Sequence, residues 1–245
     1  MKEDGSKLSK RKGDPSFEDL VQMGYLPEAI INYVSLLGWN PGTDQEFFLL
    51  DDLVKVFNYN RINKANAAFS FDKLKWLNGE HIRALTPEAF HAAALPWYPE
   101  SVRHLDLPKL SQLIQIRTEV LGDIPELVNF LGALPSYEVG LFESEKSKST
   151  LPSSMEVLKA VIPQLEALET WSNADLFRLL KAYAQSSEQK VGTVMWPIRT
   201  ALSGLPNTPG GATELADILG KRETIHRLKR GLAKLLVSGM NIEFA

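Results

Sequence analysis

Apolar residues recur every three or four positions along most of the chain, the spacing of helices that each turn one stripe inward. Leu26 precedes Pro27 at a first helical position, Ile30, Val34 and Leu37 fall on one stripe, and Gly38 closes it, which predicts a helix over 27–38. Leu53, Val54 and Phe57 predict a short helix within 51–58, and Leu74 and Leu77 another over 72–78, stopped by Gly79. A strand signal is confined to Phe69-Ser70-Phe71. Thr86 caps Pro87-Glu88 and a helix through Ala94, and Leu95-Pro96-Trp97-Tyr98-Pro99 then breaks the chain. Leu110, Leu113, Ile114 and the run Arg117 to Leu121 predict one more helix, and Pro125-Glu126 opens the next, to Leu131.

The stretch 143–150, Glu-Ser-Glu-Lys-Ser-Lys-Ser-Thr, carries no large apolar residue and is read as a linker. Helices follow over 154–168 and from Ser172, the second with Leu176, Leu179, Leu180 and Tyr183 on one face. The Pro/Gly-rich loop 203–211 precedes two closing helices, the last turning Ile225, Leu228, Leu232 and Leu235 inward. No repeat of fixed period is present. The expectation is a mainly α protein of two or three helical subdomains.

Composition narrows the chemistry. The 245 residues contain 27 Lys+Arg against 30 Asp+Glu, a formal charge of −3, and no cysteine. A disulfide framework, a zinc knuckle and a Cys nucleophile are excluded. The polar first six residues do not resemble a signal peptide, and no run reaches the roughly 18 apolar residues of a membrane span, so a soluble protein away from membranes is expected. His81, His91, His104 and His226 are scattered without metal-ligand spacing, and no metal site is expected. Ser203 lacks the glycine of a nucleophile elbow, and Gly220-Lys221 is followed by Arg222 where a P-loop needs Ser or Thr. The charge near zero leaves nucleic acid open, because local patches bind phosphate. One such patch is 221–234, with Lys221, Arg222, Arg227, Lys229, Arg230 and Lys234 against Glu223; it reads either as a helix following an RNA backbone or as a solvated face. The other is Lys7-Leu8-Ser9-Lys10-Arg11, either a solvated tail or ammonium groups that neutralise charge moving in nucleotidyl transfer.

Lys7-Leu8-Ser9-Lys10-Arg11-Lys12-Gly13-Asp14 resembles the Lys-Met-Ser-Lys-Ser signature loop of class I aminoacyl-tRNA synthetases, in the form of the bacterial-type glutamate enzyme. Further blocks follow in that family's order: 24–33 (Gly-Tyr-Leu-Pro-Glu-Ala-Ile-Ile-Asn-Tyr), Leu36-Leu37-Gly38-Trp39, 71–79 (Phe-Asp-Lys-Leu-Lys-Trp-Leu-Asn-Gly), 196–204 (Trp-Pro-Ile-Arg-Thr-Ala-Leu-Ser-Gly), Pro209-Gly210-Gly211 and Leu219-Gly220-Lys221. The resemblance implies a C-terminal portion of such an enzyme, without the N-terminal catalytic domain that would be its partner. Its implied layout is a class I synthetase signature loop (1–16), a helical stem-contact domain (17–86) and a two-part all-helical anticodon-binding domain (87–145 and 146–245).

The residue roles rest on the same resemblance. Lys10 would stabilise charge at the ATP α-phosphate as the catalytic lysine, and Lys7 and Ser9 would complete the ATP-binding loop. Arg117 matches the arginine that reads the third anticodon base, for which a planar fork of donors can tell C from G. Arg199, Thr208 and Pro209 match the patch for the other two bases, on a loop whose glycines admit splayed nucleotides. Arg61, Asn63 and Lys64 match a contact with the tRNA stem. The whole enzyme would use ATP with Mg2+, whereas no cofactor is expected for the isolated portion. The portion would act in the cytoplasm as a monomer and bind tRNA-Glu without aminoacylating it. The alternative is a helical protein-interaction or regulatory paralogue that has lost the active site; a stand-alone modifying enzyme is disfavoured, since those keep the catalytic domain.

Overall fold

The computed structural model describes residues 14–63 and 68–243, with side chains through Ser238. Lys7, Ser9, Lys10 and Lys64 lie outside the described residues. The chain divides into two compact units, one of residues up to Tyr98 with Ile114–Glu126, the other of Pro99–Leu113 with Leu127–Ala245. Among the described residues the regular elements are helical, and β pairing is confined to isolated bridges.

The first unit contains α1 (Phe17–Gln22), α2 (Pro27–Gly38), α3 (Leu50–Val56), α4 (Phe71–Ala84) and α5 (Pro87–Ala94). Ser16 starts α1 with a capping box to Asp19, and Thr86 Oγ1 accepts from Ala89 N at 3.2 Å to start α5. Leu20, Ile30, Tyr33, Leu74 and Leu77 form the core between α1, α2 and α4. A smaller cluster of Trp39, Phe48 and Leu53 holds α3 against the end of α2. Asn32, fully buried, pins the intervening loop: its amide donates to Glu46 O at 3.0 Å, and its Oδ1 accepts from Phe48 N at 2.9 Å.

Several sequence expectations are corrected in this unit. Gly79 does not end α4, which runs on to Ala84. Gly79 lies buried inside the helix, where a Cβ would meet the Arg83 guanidinium at 3.1 Å. The Phe69-Ser70-Phe71 stretch forms no strand, because Ser70 caps α4 by accepting from Lys73 N. Val34 is 53% and Val54 70% exposed, and the inward face of α2 is Ala29, Ile30, Asn32 and Tyr33 instead. The chain between Val21 and Tyr25 crosses that of 121–122 where Gly24, at φ +99°, meets Gly122. A Cβ on either would lie within 2.3 Å of the other strand's backbone, so two glycines are required there.

In the second unit, α6 is Leu107–Ile114, with Ile114 itself assigned to the first unit, and α7 is Ile124–Gly132, of which Leu127 onward belongs here. The body is α8 (Leu151–Ala167), α9 (Asn173–Ser186), α10 (Val191–Ser203) and α11 (Ala212–Glu243). Gly220, at φ 75°, breaks α11 into helices 212–219 and 221–243. Ser172 caps α9 as expected, and Gly204 ends α10 in the left-handed conformation. The core runs through Val157, Val161, Leu180, Val194, Ile198 and Leu228.

The polar 143–150 stretch is not a linker. Ser144 and Ser149 exchange both backbone bonds at 2.9 Å, Ser149 Oγ meets Ser154 Oγ at 2.9 Å, and Thr193 Oγ1 donates to Ser147 O at 2.7 Å. Small hydroxyl residues build a hairpin tied to α8 and α10 where composition suggested a free connector. The helix expected from Leu110 through Leu121 also ends early, at Ile114. Thr118 Oγ1 donates to Ile114 O at 2.9 Å, and a 3-10 turn over Gln115–Arg117 replaces further helix.

Candidate nucleic-acid interface

The most constrained cluster of polar groups in the second unit surrounds the loop between α10 and α11. Arg199 projects from the last full turn of α10. Its Nη1 donates to Thr208 Oγ1 at 3.1 Å, its Nη2 to Pro206 O at 2.8 Å, and the guanidinium lies 4.5 Å from the ring centroid of Trp196, one turn earlier. The Trp196 indole is itself anchored, donating to Leu141 O at 3.1 Å. Thr208 Oγ1 donates onward to Gly210 O at 2.7 Å. Stacking and three hydrogen bonds therefore fix the loop 206–210 and the arginine as one rigid piece. Thr208 and Pro209 are buried and Arg199 is half-buried, so what the piece offers outward is guanidinium edge and loop backbone. Gly210 is buried against Leu113, whose methyls lie 2.8 Å from where a Cβ would stand and would have to move to admit one.

Arg117 occupies a different setting in the first unit, exposed on the 3-10 turn Gln115–Arg117. Gln115 fixes that turn, its amide donating to Ile82 O at 3.1 Å and Leu85 O at 2.8 Å at the end of α4. Thr118 is buried beside it. The structure thus presents Arg117 from a braced turn, and it also places Arg61 and Asn63 on exposed turns of the same unit. Arg61 donates to Pro41 O, and Asn63 N donates to Gly38 O at 2.6 Å. Arg199 and Thr208 are brought into direct contact, with Pro209 next in the chain.

The basic segment 221–234 is partly engaged by the protein itself. Arg227 is 1% exposed and bridges Glu223, by Nε at 2.7 Å, to three carbonyls: Phe130 and Leu202 at 2.7 Å and Leu131 at 2.8 Å. It closes the ends of α7 and α10, satisfying carbonyls that a helix terminus leaves open. Lys221 donates to Leu168 O at 2.7 Å, Lys229 pairs with Glu166 at 2.6 Å, and Lys234 donates to Tyr137 O while lying 4.4 Å over that ring. Lys221, Arg227 and Lys234 are thus tied to carbonyls of the protein, while Arg222, Lys229 and Arg230 remain turned to solvent. Sequence reasoning missed both anchors. The available signals were the three-residue spacing of Trp196 and Arg199, and the place of Arg227 among the inward positions Thr224, Leu228 and Leu235.

Among the described residues no group of acidic and imidazole side chains stands ready for a metal, and no helix is long and apolar enough to cross a membrane. Tyr25, packed against the core of the first unit, has its phenol pKa raised by burial, and Lys75 is raised by its bond to Asp123, 3.0 Å away.

A family model described as an anticodon binding domain matches residues 89–232, more than half of the chain, and one described as the catalytic domain of class I tRNA synthetases (E and Q) matches residues 1–76. The chain belongs to the anticodon binding domain family, with a class I (E and Q) tRNA synthetase match over its first part. It is 50% identical over 236 residues to the glutamate–tRNA ligase of Clostridium botulinum, covering 96% of this chain and 49% of that protein. The ligase of Clostridium tetani is 49% identical over 236 residues, 96% of this chain and 48% of the relative. The chain thus spans about half the length of these relatives. Among solved structures, a glutamate tRNA ligase from Elizabethkingia meningosepticum in complex with its amino acid superposes with a TM-score of 0.74 at 26% identity, covering 94% of this chain and 49% of that one. The glutamate-tRNA synthetase of Elizabethkingia anophelis superposes equally well, at 25% identity. The relatives that the short motifs resemble are thus the ones this chain is similar to, and its helical fold is shared with the solved structures among them.

Proposed function

We propose that this chain is the tRNA-binding part of a glutamate tRNA ligase, the enzyme that activates glutamate with ATP and joins it to tRNA-Glu. The observation that carries the reading is the rigid arginine piece: Arg199 stacked on Trp196 and bonded to Thr208 and Pro206, a preorganised donor edge of the kind that reads unstacked bases. Arg199, with the backbone around Thr208 and Pro209, faces two anticodon bases. Arg117, on its braced turn, faces the third. Arg61, Asn63 and Lys64 meet the stem. The functional parts run as a signature loop (1–16), a stem-contact domain (17–86) and two anticodon-binding subdomains (87–145 and 146–245).

Lys7, Ser9 and Lys10 belong to the ATP-binding signature loop, with Lys10 as its catalytic lysine and Mg2+ accompanying the nucleotide. Adenylate chemistry needs the remainder of the synthetase. The 245 residues alone, monomeric and cytoplasmic, bind tRNA-Glu and do not charge it. The test compares binding of tRNA-Glu with that of tRNA-Gln and a third tRNA of similar size, together with glutamate-dependent ATP/pyrophosphate exchange. Selective binding without exchange is expected. Equal affinity for all three tRNAs would mark a general interaction module and refute the reading, and exchange by the chain alone would refute the division of labour. Arg117→Gln is expected to weaken discrimination against tRNA-Gln.

A further inference from the structure

Of the six cations in 221–234, Arg230 is the one that stands exposed over a cavity. It lines a groove of about 840 Å³ in the second unit, walled on one side by Leu134 to Val139 and on the other by Arg230, Ala233, Lys234, Val237 and Ser238. Arg230 has no ion pair or hydrogen bond among the described residues, and Glu138, also in the wall, forms no ion pair with it. The second cation, Lys234, is held in place by Tyr137 O and the Tyr137 ring. Tyr137 is 8% exposed, and its hydroxyl is buried without a hydrogen-bond partner. An orphaned buried hydroxyl is unusual and costly, about 1–3 kcal/mol, and it can be relieved by an incoming acceptor. Burial raises the phenol's pKa while Arg230 pulls it partly back, which puts the guanidinium within electrostatic reach of the hydroxyl and keeps that group a protonated donor at neutral pH.

We infer that this groove is a phosphate-binding site for the tRNA backbone, with Arg230 as the charged contact, Lys234 as a fixed second cation and the Tyr137 hydroxyl as a donor that gains its acceptor on binding. The inference rests on the tRNA-binding reading above and names a contact outside the Arg199 and Arg117 patches. A phosphodiester suits the site because two cations stand there against one carboxylate and an unpartnered O–H lies buried behind the wall, a combination that favours a charged acceptor over an apolar side chain. Since Arg230 carries no structural bond, its replacement tests binding without disturbing the fold.

The experiment titrates tRNA-Glu against the full chain and the variants Arg230→Gln and Tyr137→Phe from low to moderate salt, with thermal unfolding measured on each. Arg230→Gln is expected to weaken binding about 5-fold at low salt and to make the slope of log K against log salt shallower by roughly 0.7–0.9, the loss of one phosphate contact, with an unchanged Tm. Tyr137→Phe is expected to weaken binding about 3-fold while leaving Tm the same or higher, since it deletes an unsatisfied polar group. A slope and affinity unchanged by Arg230→Gln, in a protein that still prefers tRNA-Glu, would overturn the groove and leave the tRNA-binding reading standing. A lowered Tm in Tyr137→Phe would overturn the hydroxyl's part. Loss of tRNA preference in the wild-type chain would instead strike the reading on which the site rests.

Discussion

In the unit built on α8 to α11, the large hydrophobics left exposed among the described residues are Phe177, Leu236 and Val237, whereas the first unit leaves Leu49, Leu50, Val54, Val56, Phe57 and Tyr59 exposed within one short stretch, Tyr59 at 74%. The second unit buries its stripes inside itself and even draws an arginine into the interior. The first closes a core around Leu74 and Leu77 and leaves α3 with Leu53 as its one buried side chain. Helical periodicity therefore means different things in the two units: a buried stripe in one, and in the other a pattern whose apolar face is only partly covered. Exposed apolar area contributes little to stability, so equal-looking substitutions should have unequal costs.

The largest effect is expected at Arg227. Arg227→Met leaves three helix-end carbonyls without their donor and should cost about 3 kcal/mol or more in urea unfolding. Val161→Ser, in the fully buried middle of α8, should cost about 2–3 kcal/mol through lost burial and an added hydroxyl. A smaller, pH-dependent effect is expected in the first unit. Burial lowers the pKa of His81, whose Nε2 lies 3.1 Å from Asn32 Oδ1 and whose ring meets Phe47. The Asn32 oxygen accepts, so Nε2 carries a proton, and burial keeps the native ring neutral to a lower pH than in the unfolded chain, where the group returns to an ordinary value near 6.5. The unfolded chain then binds more protons as pH falls, so this contribution is complete above about pH 6.5 and is lost below it. Thermal midpoints at pH 7.5 and 5.5 should fall together with pH in the wild type and separate less in His81→Gln. The smallest effect is expected from Val54→Ser, within about 0.5 kcal/mol, and a cost matching that of Val161→Ser would break the contrast between the units.

The same contrast explains what was legible. Caps at Thr86 and Ser172 are local chemistry, and both stand where the residues place them. The inward stripe of α9 was legible because its neighbours lie in the same unit. Val34 and Val54 misled because periodicity reports a face without reporting what covers it. Gly79 misled because a glycine can stop a helix or stand inside one, and α4 continues through it to Ala84. Hydroxyl-rich 143–150 looked like a connector since its bonds go to Ser154 and Thr193, partners that composition does not reveal. At the candidate interface, the family motifs singled out Arg199 and Thr208, whose mutual contact, like the stacking on Trp196 and the withdrawal of Arg227 from the surface, depends on tertiary geometry.

The claim that the rigid Arg199 piece reads RNA bases is tested most directly by titrating tRNA-Glu transcripts, each with one anticodon base changed, against the wild-type chain and Arg199→Ala. The wild type should lose about 10-fold or more in affinity at a substituted base, on the order of 1–3 kcal/mol per lost bidentate contact, and Arg199→Ala should bind the changed and unchanged transcripts nearly alike at the positions it reads. Undiminished discrimination in Arg199→Ala, or a wild type indifferent to every anticodon change, would contradict it.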